Sequence, residues 1–185
     1  MASIQIKKRI FLIFLVCEAG SFLMPGFGQN FVTSEYEIKA AYLYNFSKFI
    51  EWPGSSMKQT QGTFIIGVLG KDPFGGFLEQ VIEGKNVRGA IMTIKRFHRL
   101  DELQYCNILF ISASETSNLS KIFDSLKNEN ILTVSDMPEF IRNGGMIQLY
   151  AENNKIRFAI HVGATERSNL KLSAKLLNLA KIPMD

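Results

Sequence analysis

The stretch Thr63-Phe-Ile-Ile-Gly-Val-Leu69, closed by Gly70, decides the fold of this 185-residue chain. Its side chains are almost all apolar and do not alternate with polar ones, which is typical of a strand with both faces buried. Such strands occur in parallel sheets that helices cover on both sides. The following turn leads to residues 77–82, whose apolar spacing predicts a short helix that ends at Gly84.

The same strand-and-helix unit recurs along the chain. Apolar runs predict further strands over residues 90–97, 106–112 and 131–135, with a short helix between the last two. Strands that alternate with helices form a mostly parallel sheet. Residues 146–150 and 155–162 change the pattern, because the short connection between them has the size of an antiparallel hairpin.

Two amphipathic helices are predicted to flank the sheet. Ser34 and Glu37 have the spacing of a capping box, so the first helix is expected to begin at Ser34 and to end before Pro53. The last segment, residues 164–181, is predicted to be one long helix. Asp136 is expected to cap a brief helix. The core-facing side of the first helix is predicted to bear Ile38, Ala41, Tyr42, Asn45, Phe46 and Phe49.

These elements define the expected architecture. We predict an α/β fold in the form of a three-layer sandwich, with a mostly parallel sheet of about six strands, a C-terminal antiparallel hairpin, and flanking N- and C-terminal helices. A content of 46% hydrophobic and 21% charged residues is ordinary for a globular protein and excludes a disordered or collagen-like chain. A chain of this length can form one core without a metal or a disulfide.

The N-terminus has the layout of an export signal. Basic residues 7–9 are followed by an unbroken apolar run over residues 10–16 and then by small residues. We predict a cleaved signal peptide over residues 1–28 and a single domain over residues 29–185. An uncleaved anchor is an alternative, but the apolar run is too short to cross about 30 Å of hydrocarbon. Lipidation at Cys17 is another alternative, which the bulky residue before it disfavours.

The charge of the chain gives no reason to expect a nucleic-acid partner. The formal net charge of +4 falls to +2 when the leader is removed, because the leader holds three basic residues and one acidic residue. Nucleic-acid binding needs a concentrated basic face. The densest basic group, within residues 95–99, is interpreted as a solvated strand end.

The sequence lacks the common catalytic and metal-binding motifs. The glycines around Gly70 match neither a dinucleotide fingerprint nor a phosphate loop, and no Gly-x-Ser-x-Gly string occurs. His98 and His161 are far apart and offer no metal-ligand spacing. Cys106 is the only cysteine after the leader and precedes an apolar run, so we expect a buried, inert thiol. We therefore predict no catalytic residue, no metal and no cofactor.

Several segments together resemble the YfiR/HmsC-like periplasmic proteins. The string Glu-Ile-Lys-Ala-Ala-Tyr-Leu-Tyr-Asn-Phe-Ser-Lys-Phe-Ile-Glu-Trp-Pro over residues 37–53 is similar to the opening signature of that family. Segments 66–74, 106–112 and 132–136 are similar to its successive strand motifs and occur in the same order. The resemblance covers residues 36–180.

The resemblance implies a regulatory protein without catalytic activity. Members of the family lie in the periplasm, form homodimers and bind the sensor domain of an inner-membrane diguanylate cyclase, which they hold inactive. Release of the cyclase raises cyclic-di-GMP and promotes biofilm formation, and an outer-membrane lipoprotein can sequester the repressor. We therefore expect a periplasmic homodimer that has these two partners.

The C-terminal hairpin and helix are the expected working surface. The family pattern Phe-Glu-Ile-Asn on the last strand is replaced here by Phe-Ala-Ile-His, which alters any partner contact made by this strand. The first helix carries more aromatic residues than one sheet can bury, so Tyr44 and Trp52 are predicted to mediate self-association. The predicted partner-binding residues are Phe158, Ile160, His161 and Glu166.

Two other functions stay open from the residues alone. A small-molecule sensor would use a pocket at the strand ends, near residues 70–75 and 112–114. A hydrolase would use Ser112 or Ser135 as the nucleophile and His161 as the base. A structure distinguishes these functions, because a deep polar pocket favours the sensor and a serine hydroxyl within hydrogen-bond reach of His161 favours the hydrolase.

Overall fold

The computed structural model describes residues 27–54, 56 and 62–183 of the chain. The predicted signal peptide over residues 1–28 therefore lies almost entirely outside the described residues. The helices are α1 (Phe27–Phe49), α2 (Phe77–Ile82), α3 (Leu119–Ser125), α4 (Val162–Arg167) and α5 (Ala174–Leu179). The strands are β1 (Ile50–Glu51), β2 (Thr63–Leu69), β3 (Asn86–Val87), β4 (Ala90–Phe97), β5 (Ile108–Ile111), β6 (Leu132–Ser135), β7 (Ile147–Glu152), β8 (Lys155–Ile160) and β9 (Lys171–Leu172).

The main sheet has the strand order β3-β4-β2-β5-β6-β7-β8. Neighbours among β4, β2, β5, β6 and β7 pair in parallel, whereas β3 and β8 pair antiparallel at the two edges. This order confirms the predicted α/β fold with its mostly parallel sheet and C-terminal hairpin. One more strand is present than expected, because a turn at Arg88 and Gly89, both with positive φ, folds β3 back onto β4. The short pair β1–β9 is separate from this sheet.

Hydrophobic cores lie on both faces of the main sheet, because successive side chains of a strand point to opposite faces. On β2, Phe64 and Ile66 belong to the core that includes residues of α1 and α2. Ile65 and Leu69 belong to the core that includes residues of α3. Every residue of β5, in the middle of the sheet, is buried. The layers are therefore helix, sheet and helix, as expected.

The core under α3 is closely packed at Gly67 of β2. A Cβ atom at this position would lie 2.9 Å from Cys106 Sγ and 3.1 Å from the Phe97 ring, which is closer than carbon and sulfur atoms pack. Glycine therefore leaves the space that Cys106 and Phe97 fill. Cys106 is fully buried, as expected, and this burial raises the pKa of its thiol to about 12.

The C-terminal segment differs from its prediction. One long helix over residues 164–181 is wrong, because α4 ends at Arg167 and Asn169 adopts a left-handed conformation with a φ of 55°. The chain then forms β9, which pairs antiparallel with β1. Ser173 begins a new helix, α5, by accepting a hydrogen bond from the Leu176 amide. Leu170 lies between elements, Leu172 lies in β9, and Leu176 and Leu177 lie in α5, so their helical spacing is misleading.

Two other local predictions are wrong. The first helix begins at Phe27, so Ser34 lies within it and does not stand at its start. Asp136 does not cap a helix, because residues 138–144 form turns and Glu139 has a positive φ. The Asp136 carboxylate instead binds side chains of α1.

We predict that the Cys106 thiol resists alkylation by iodoacetamide in the native chain. Full burial excludes the reagent, and the raised pKa keeps the sulfur in its unreactive thiol form. Peptide mapping after alkylation distinguishes Cys106 from Cys17. Alkylation of Cys106 in the native chain as fast as in urea would contradict the packing described at Gly67.

The same thiol predicts a loss of stability at alkaline pH. A group whose pKa is higher in the folded chain stabilises that chain fully below its unfolded pKa, and the contribution is lost as the pH rises through the folded pKa. For Cys106 this window runs from about 9 to about 12. Urea unfolding across this range is expected to depend less on pH in a Cys106→Ala variant than in the unaltered chain.

Candidate functional site

A buried lysine joins α1 to the carboxyl end of β6. The Lys39 side chain is 4% exposed, and its Nζ lies 2.6 Å from Oδ2 of Asp136 and 2.5 Å from Oε1 of Glu35. The Tyr36 hydroxyl donates to the same Asp136 oxygen at 2.9 Å, and Lys39 Nζ lies 4.3 Å from the centre of the Tyr36 ring. These four residues, Glu35, Tyr36, Lys39 and Asp136, are called the α1 anchor below.

The α1 anchor lies where α/β folds commonly bind ligands. Such folds use the crevice beyond the carboxyl ends of the strands, at the point where the strand order reverses. Here the order reverses at β2, because β4 lies on one side of it and β5 and β6 lie on the other. Phe74, in the loop after β2, packs its ring against Tyr36 and Phe110, with 5.6 and 4.7 Å between ring centres. The turn of α1 that holds Tyr36 and Lys39 thus covers this end of the sheet.

The hydrogen bonds of the anchor suit a structural role. Burial, with the nearby Asp136 carboxylate as the next cause, raises the pKa of the Tyr36 phenol. The phenol therefore keeps its proton and its hydrogen bond to Asp136 through the neutral range. The Lys39 and Tyr36 donors both bind the Asp136 carboxylate, which fixes α1 on the sheet.

The anchor does not follow from the hydrophobic pattern of the sequence, because a lysine interrupts the apolar side of α1. The predicted core-facing side is rotated by about one residue, since Ile38 is 43% exposed whereas Lys39, Ala40 and Leu43 are buried. Glu35, four residues before Lys39, was the available signal, because opposite charges at this spacing meet on a helix.

Two of the predicted partner-binding residues lie in the core. Phe158 and Ile160 on β8 are 4% and 0% exposed. The Phe158 ring packs against the rings of Tyr42 and Phe46 on α1, with 5.4 and 5.3 Å between ring centres. A partner does not reach these side chains in this conformation. Their contacts hold α1 against β8.

The other two predicted partner-binding residues lie at the surface around α4. Glu166 is exposed, and His161 is partly exposed immediately before the helix. The Nδ1 atom of His161 accepts a hydrogen bond from the Ala164 amide at 3.4 Å, so the imidazole caps α4. His161 and Glu166 are therefore the members of the predicted set that a partner can reach.

The residues predicted for self-association have contacts within the chain. The Tyr44 ring lies between the ammonium groups of Lys48 and Lys85, which are 4.5 and 4.4 Å from the ring centre. Trp52 donates from Nε1 to the carbonyl oxygen of Asn107 at 3.1 Å. Both aromatic side chains are partly exposed, so each has a remaining surface for a second molecule.

The serines considered for hydrolysis are bonded to the main chain. Ser135 Oγ donates to the last carbonyl of β5 at 2.7 Å and accepts from the Met137 amide at 3.1 Å. Ser112 Oγ accepts from the Ser114 amide at 3.4 Å. A nucleophilic serine gives its proton to a base, whereas the Ser135 proton is held by a carbonyl and His161 Nδ1 accepts from α4. These hydrogen bonds do not assemble a catalytic triad.

The space considered for a sensor pocket is filled by the loops after β2 and β5. Ser114 Oγ accepts a hydrogen bond from the Lys71 amide at 2.9 Å. Gly70 has a φ of 87°, and the side chains of Ser114 and Glu115 stand where its Cβ would lie. The two loops therefore contact each other directly at the strand ends.

The described ranges hold neither a cluster of potential metal ligands nor a helix able to cross a membrane. No group of three or more histidine, cysteine, aspartate or glutamate side chains there is placed to hold a metal ion. None of the described helices is both long and apolar enough to cross a membrane.

Comparison with known families identifies the kind of protein. The model of the YfiR/HmsC-like family matches residues 36–181, from the α1 anchor to the end of the fold. The chain belongs to the YfiR/HmsC-like family. This match confirms the resemblance found in the sequence motifs. Proteins of this family are periplasmic and regulatory rather than catalytic, and membership is consistent with a periplasmic regulator of cyclic-di-GMP signalling.

A conserved domain protein from Vibrio cholerae O1 biovar eltor str. N16961 is a similar solved structure. It shares 8% sequence identity, with a TM-score of 0.49 over 68% of this chain and 56% of that chain. This chain thus spans little more than half the length of that protein. No curated protein matches the chain.

We predict that Lys39→Met lowers the free energy of unfolding by about 3–5 kcal/mol, because it leaves the Asp136 carboxylate without its ammonium partner. Asp136→Asn is expected to cost less, because Lys39 keeps Glu35 as a partner. Urea unfolding measures this loss. Lys39→Met combined with Asp136→Leu is expected to cost less than the sum of the single changes, since both charges are removed.

The matched control for the anchor is an exposed ion pair. Arg142 and Glu139 pair at 2.6 Å with side chains 83% and 57% exposed, so Arg142→Met is expected to change stability by about 1 kcal/mol or less. Equal effects of Lys39→Met and Arg142→Met would contradict the structural role of the anchor.

The cap at His161 gives another prediction. His161→Ala removes the side chain that caps α4 and is expected to lower the free energy of unfolding by about 0.5–2 kcal/mol. His161→Asn replaces the accepting Nδ1 nitrogen by an amide oxygen that can also cap the helix, and is expected to retain stability. Equal stability of the alanine and asparagine variants in urea would show that the imidazole does not cap the helix.

Proposed function

We propose that this chain is a periplasmic repressor of an inner-membrane diguanylate cyclase. It binds the periplasmic sensor domain of the cyclase and holds the enzyme inactive, which limits cyclic-di-GMP and biofilm formation. The observation that carries the proposal is the family match over residues 36–181. The hydrogen bonds of Ser112, Ser135 and His161 also support a binding function, because they assemble no group for turnover.

The partner surface in this proposal is α4 with its cap. Glu166 and Arg167 are exposed on the helix, and His161 stands at its start, next to the hairpin of β7 and β8. Helix α4 is anchored beneath by Ala164 and Thr165, which are buried. A surface of this kind presents charged groups on a fixed support, which favours binding of one state of a target over another.

Repression needs only a modest difference in affinity between the two states of the cyclase. A difference of about 3 kcal/mol shifts the balance between active and inactive states by over a hundredfold. The proposal includes a homodimer that uses the exposed parts of Tyr44 and Trp52. It also includes an outer-membrane lipoprotein that sequesters the repressor and so frees the cyclase.

Deletion of the gene tests the proposed function in the cell. With the cyclase present, cyclic-di-GMP is expected to rise on deletion and to return to its starting level when the chain is supplied again. An unchanged cyclic-di-GMP level in the deletion strain would reject repression.

A surface variant tests the proposed contact. Glu166→Lys reverses an exposed charge and is expected to weaken repression while unfolding in urea remains unchanged, because exposed charges contribute little to stability. Asp124→Lys, an exposed charge reversal on α3, is the matched control and is expected to repress normally. Normal repression by Glu166→Lys would remove α4 from the partner surface.

A further inference from the structure

The two edges of the main sheet differ in how their main-chain groups are covered. On β8, the Tyr42 hydroxyl donates to the Ile156 carbonyl oxygen at 3.0 Å. The main chain of Lys181 also donates to β8 and accepts from it, both at 3.0 Å. This edge is therefore covered by the chain itself. On the opposite edge, β3 pairs only with the first two residues of β4.

The rest of β4 has an open edge. The N–H and C=O of one residue point to the same side of a strand, and the side alternates along the strand. The main-chain groups of Met92 point away from β2, because its amide donates to a carbonyl of the α2–β3 loop at 3.3 Å. The main-chain groups of Phe97 point toward β2, because its carbonyl accepts from the Gly70 amide at 2.8 Å. The main-chain groups of Ile94 and Arg96 therefore point outward from the edge of the sheet. No strand in the described part of the chain pairs with them on that side.

A groove with a volume of about 670 Å³ runs beside this edge, between α2 and β4. Ile82, Met92 and Ile94 give it an apolar wall, and Glu83 and Lys85 lie along its lining. An added strand would bond to the carbonyl of Met92, to both main-chain groups of Ile94 and to the amide of Arg96. Its side chains on the groove side would be apolar, because they meet this wall.

A second copy of this chain is a poor occupant of the edge. Two β4 strands can pair antiparallel only in registers in which outward groups face each other. When the pairing is centred on Thr93 or Ile94, the second strand must bond to Met92. The Met92 amide is already bound to the Lys85 carbonyl, so Lys85 stands in the way of the second strand. A register centred on Lys95 places two lysines directly opposite, which is destabilising.

Lys95 indicates the charge of a better occupant. Its Nζ donates to the side-chain amide oxygen of Gln104 at 2.9 Å, so a neutral group is its partner. On the other face of β4, Arg96 is already bound to Asp72 and Glu79, each at 2.6 Å. The guanidinium lowers the pKa of Glu79. An acidic side chain placed beside Lys95 would therefore gain an ion pair on this face.

We propose that the open edge of β4 docks an extended segment of a protein partner as an added strand. The segment has apolar side chains on the groove side and an acidic side chain beside Lys95. Main-chain hydrogen bonds give such strand addition its affinity, and the alternating side chains give its specificity. This site goes beyond the proposed function and rests on it only in that the chain acts by binding proteins.

The test uses the full chain and two end-blocked peptides, Val-Glu-Val-Glu-Val-Glu and Val-Lys-Val-Lys-Val-Lys. Amide hydrogen exchange at Ile94 and Arg96, followed by NMR, reports occupation of the edge. Saturating glutamate peptide is expected to slow exchange at both amides by about tenfold or more, as new ladder hydrogen bonds do. The lysine peptide is expected to bind about threefold to tenfold more weakly, because it replaces attraction at Lys95 by repulsion.

Variants separate strand addition from general attraction. Lys95→Glu is expected to reverse the preference between the two peptides, whereas Lys155→Glu on the covered edge is the matched control and is expected to leave it unchanged. A glutamate peptide that is N-methylated at alternate amides cannot form the ladder and is expected not to protect Ile94 and Arg96.

Three results would overturn the proposal. The first is slow exchange at Ile94 and Arg96 in the dilute chain without peptide. The second is protection that rises with chain concentration alone, which would assign the edge to a second copy. The third is binding of the N-methylated glutamate peptide as tight as that of the unmethylated glutamate peptide. None of these measurements involves the cyclase, so failure of the proposed repression and failure of this site are distinguishable.

Discussion

A buried ammonium group requires a carboxylate, and the requirement of Lys39 for Asp136 fixes the position of α1 on the sheet. Glu35 moves with Lys39 on the same helix, whereas Asp136 belongs to the sheet, so a shift of α1 would separate Asp136 from its ammonium partner at a cost of several kcal/mol. The aromatic contacts of α1 depend on the same placement. Tyr36 meets Phe74 at the carboxyl end of the strands, and Phe46 meets the Phe158 ring on β8.

This constraint also determines what kind of function the fold supports. The end of the sheet where related architectures bind small ligands is covered by α1, and the loops after β2 and β5 contact each other through Lys71 and Ser114. Exposed or partly exposed groups that a partner can reach include those on α4, along β4 and at Tyr44 and Trp52. The chain belongs to a family of regulatory proteins.

Most of the sheet could be predicted from the sequence, because buried strands such as β2 and β5 are continuous apolar runs. The contact of Lys39 with Asp136 could not, since these residues are 97 positions apart and each alone suggests a solvated or capping group. The division of the last helix was missed for a similar reason. Pairing of β9 with β1 is a long-range contact between Leu172 and Ile50, and no local pattern of leucines encodes it.

We propose that this chain works by occupying the sensor domain of a membrane cyclase. The most direct measurement is the rate of cyclic-di-GMP synthesis by that cyclase, reconstituted in membranes with its sensor domain accessible, as purified chain is added. We expect the rate of synthesis to fall as chain is added and to level off, following a single isotherm for binding of the chain to the sensor domain. Two results would contradict this mode of action. One is an unchanged rate of synthesis when the folded chain saturates the sensor domain, and the other is no binding to the sensor domain at all.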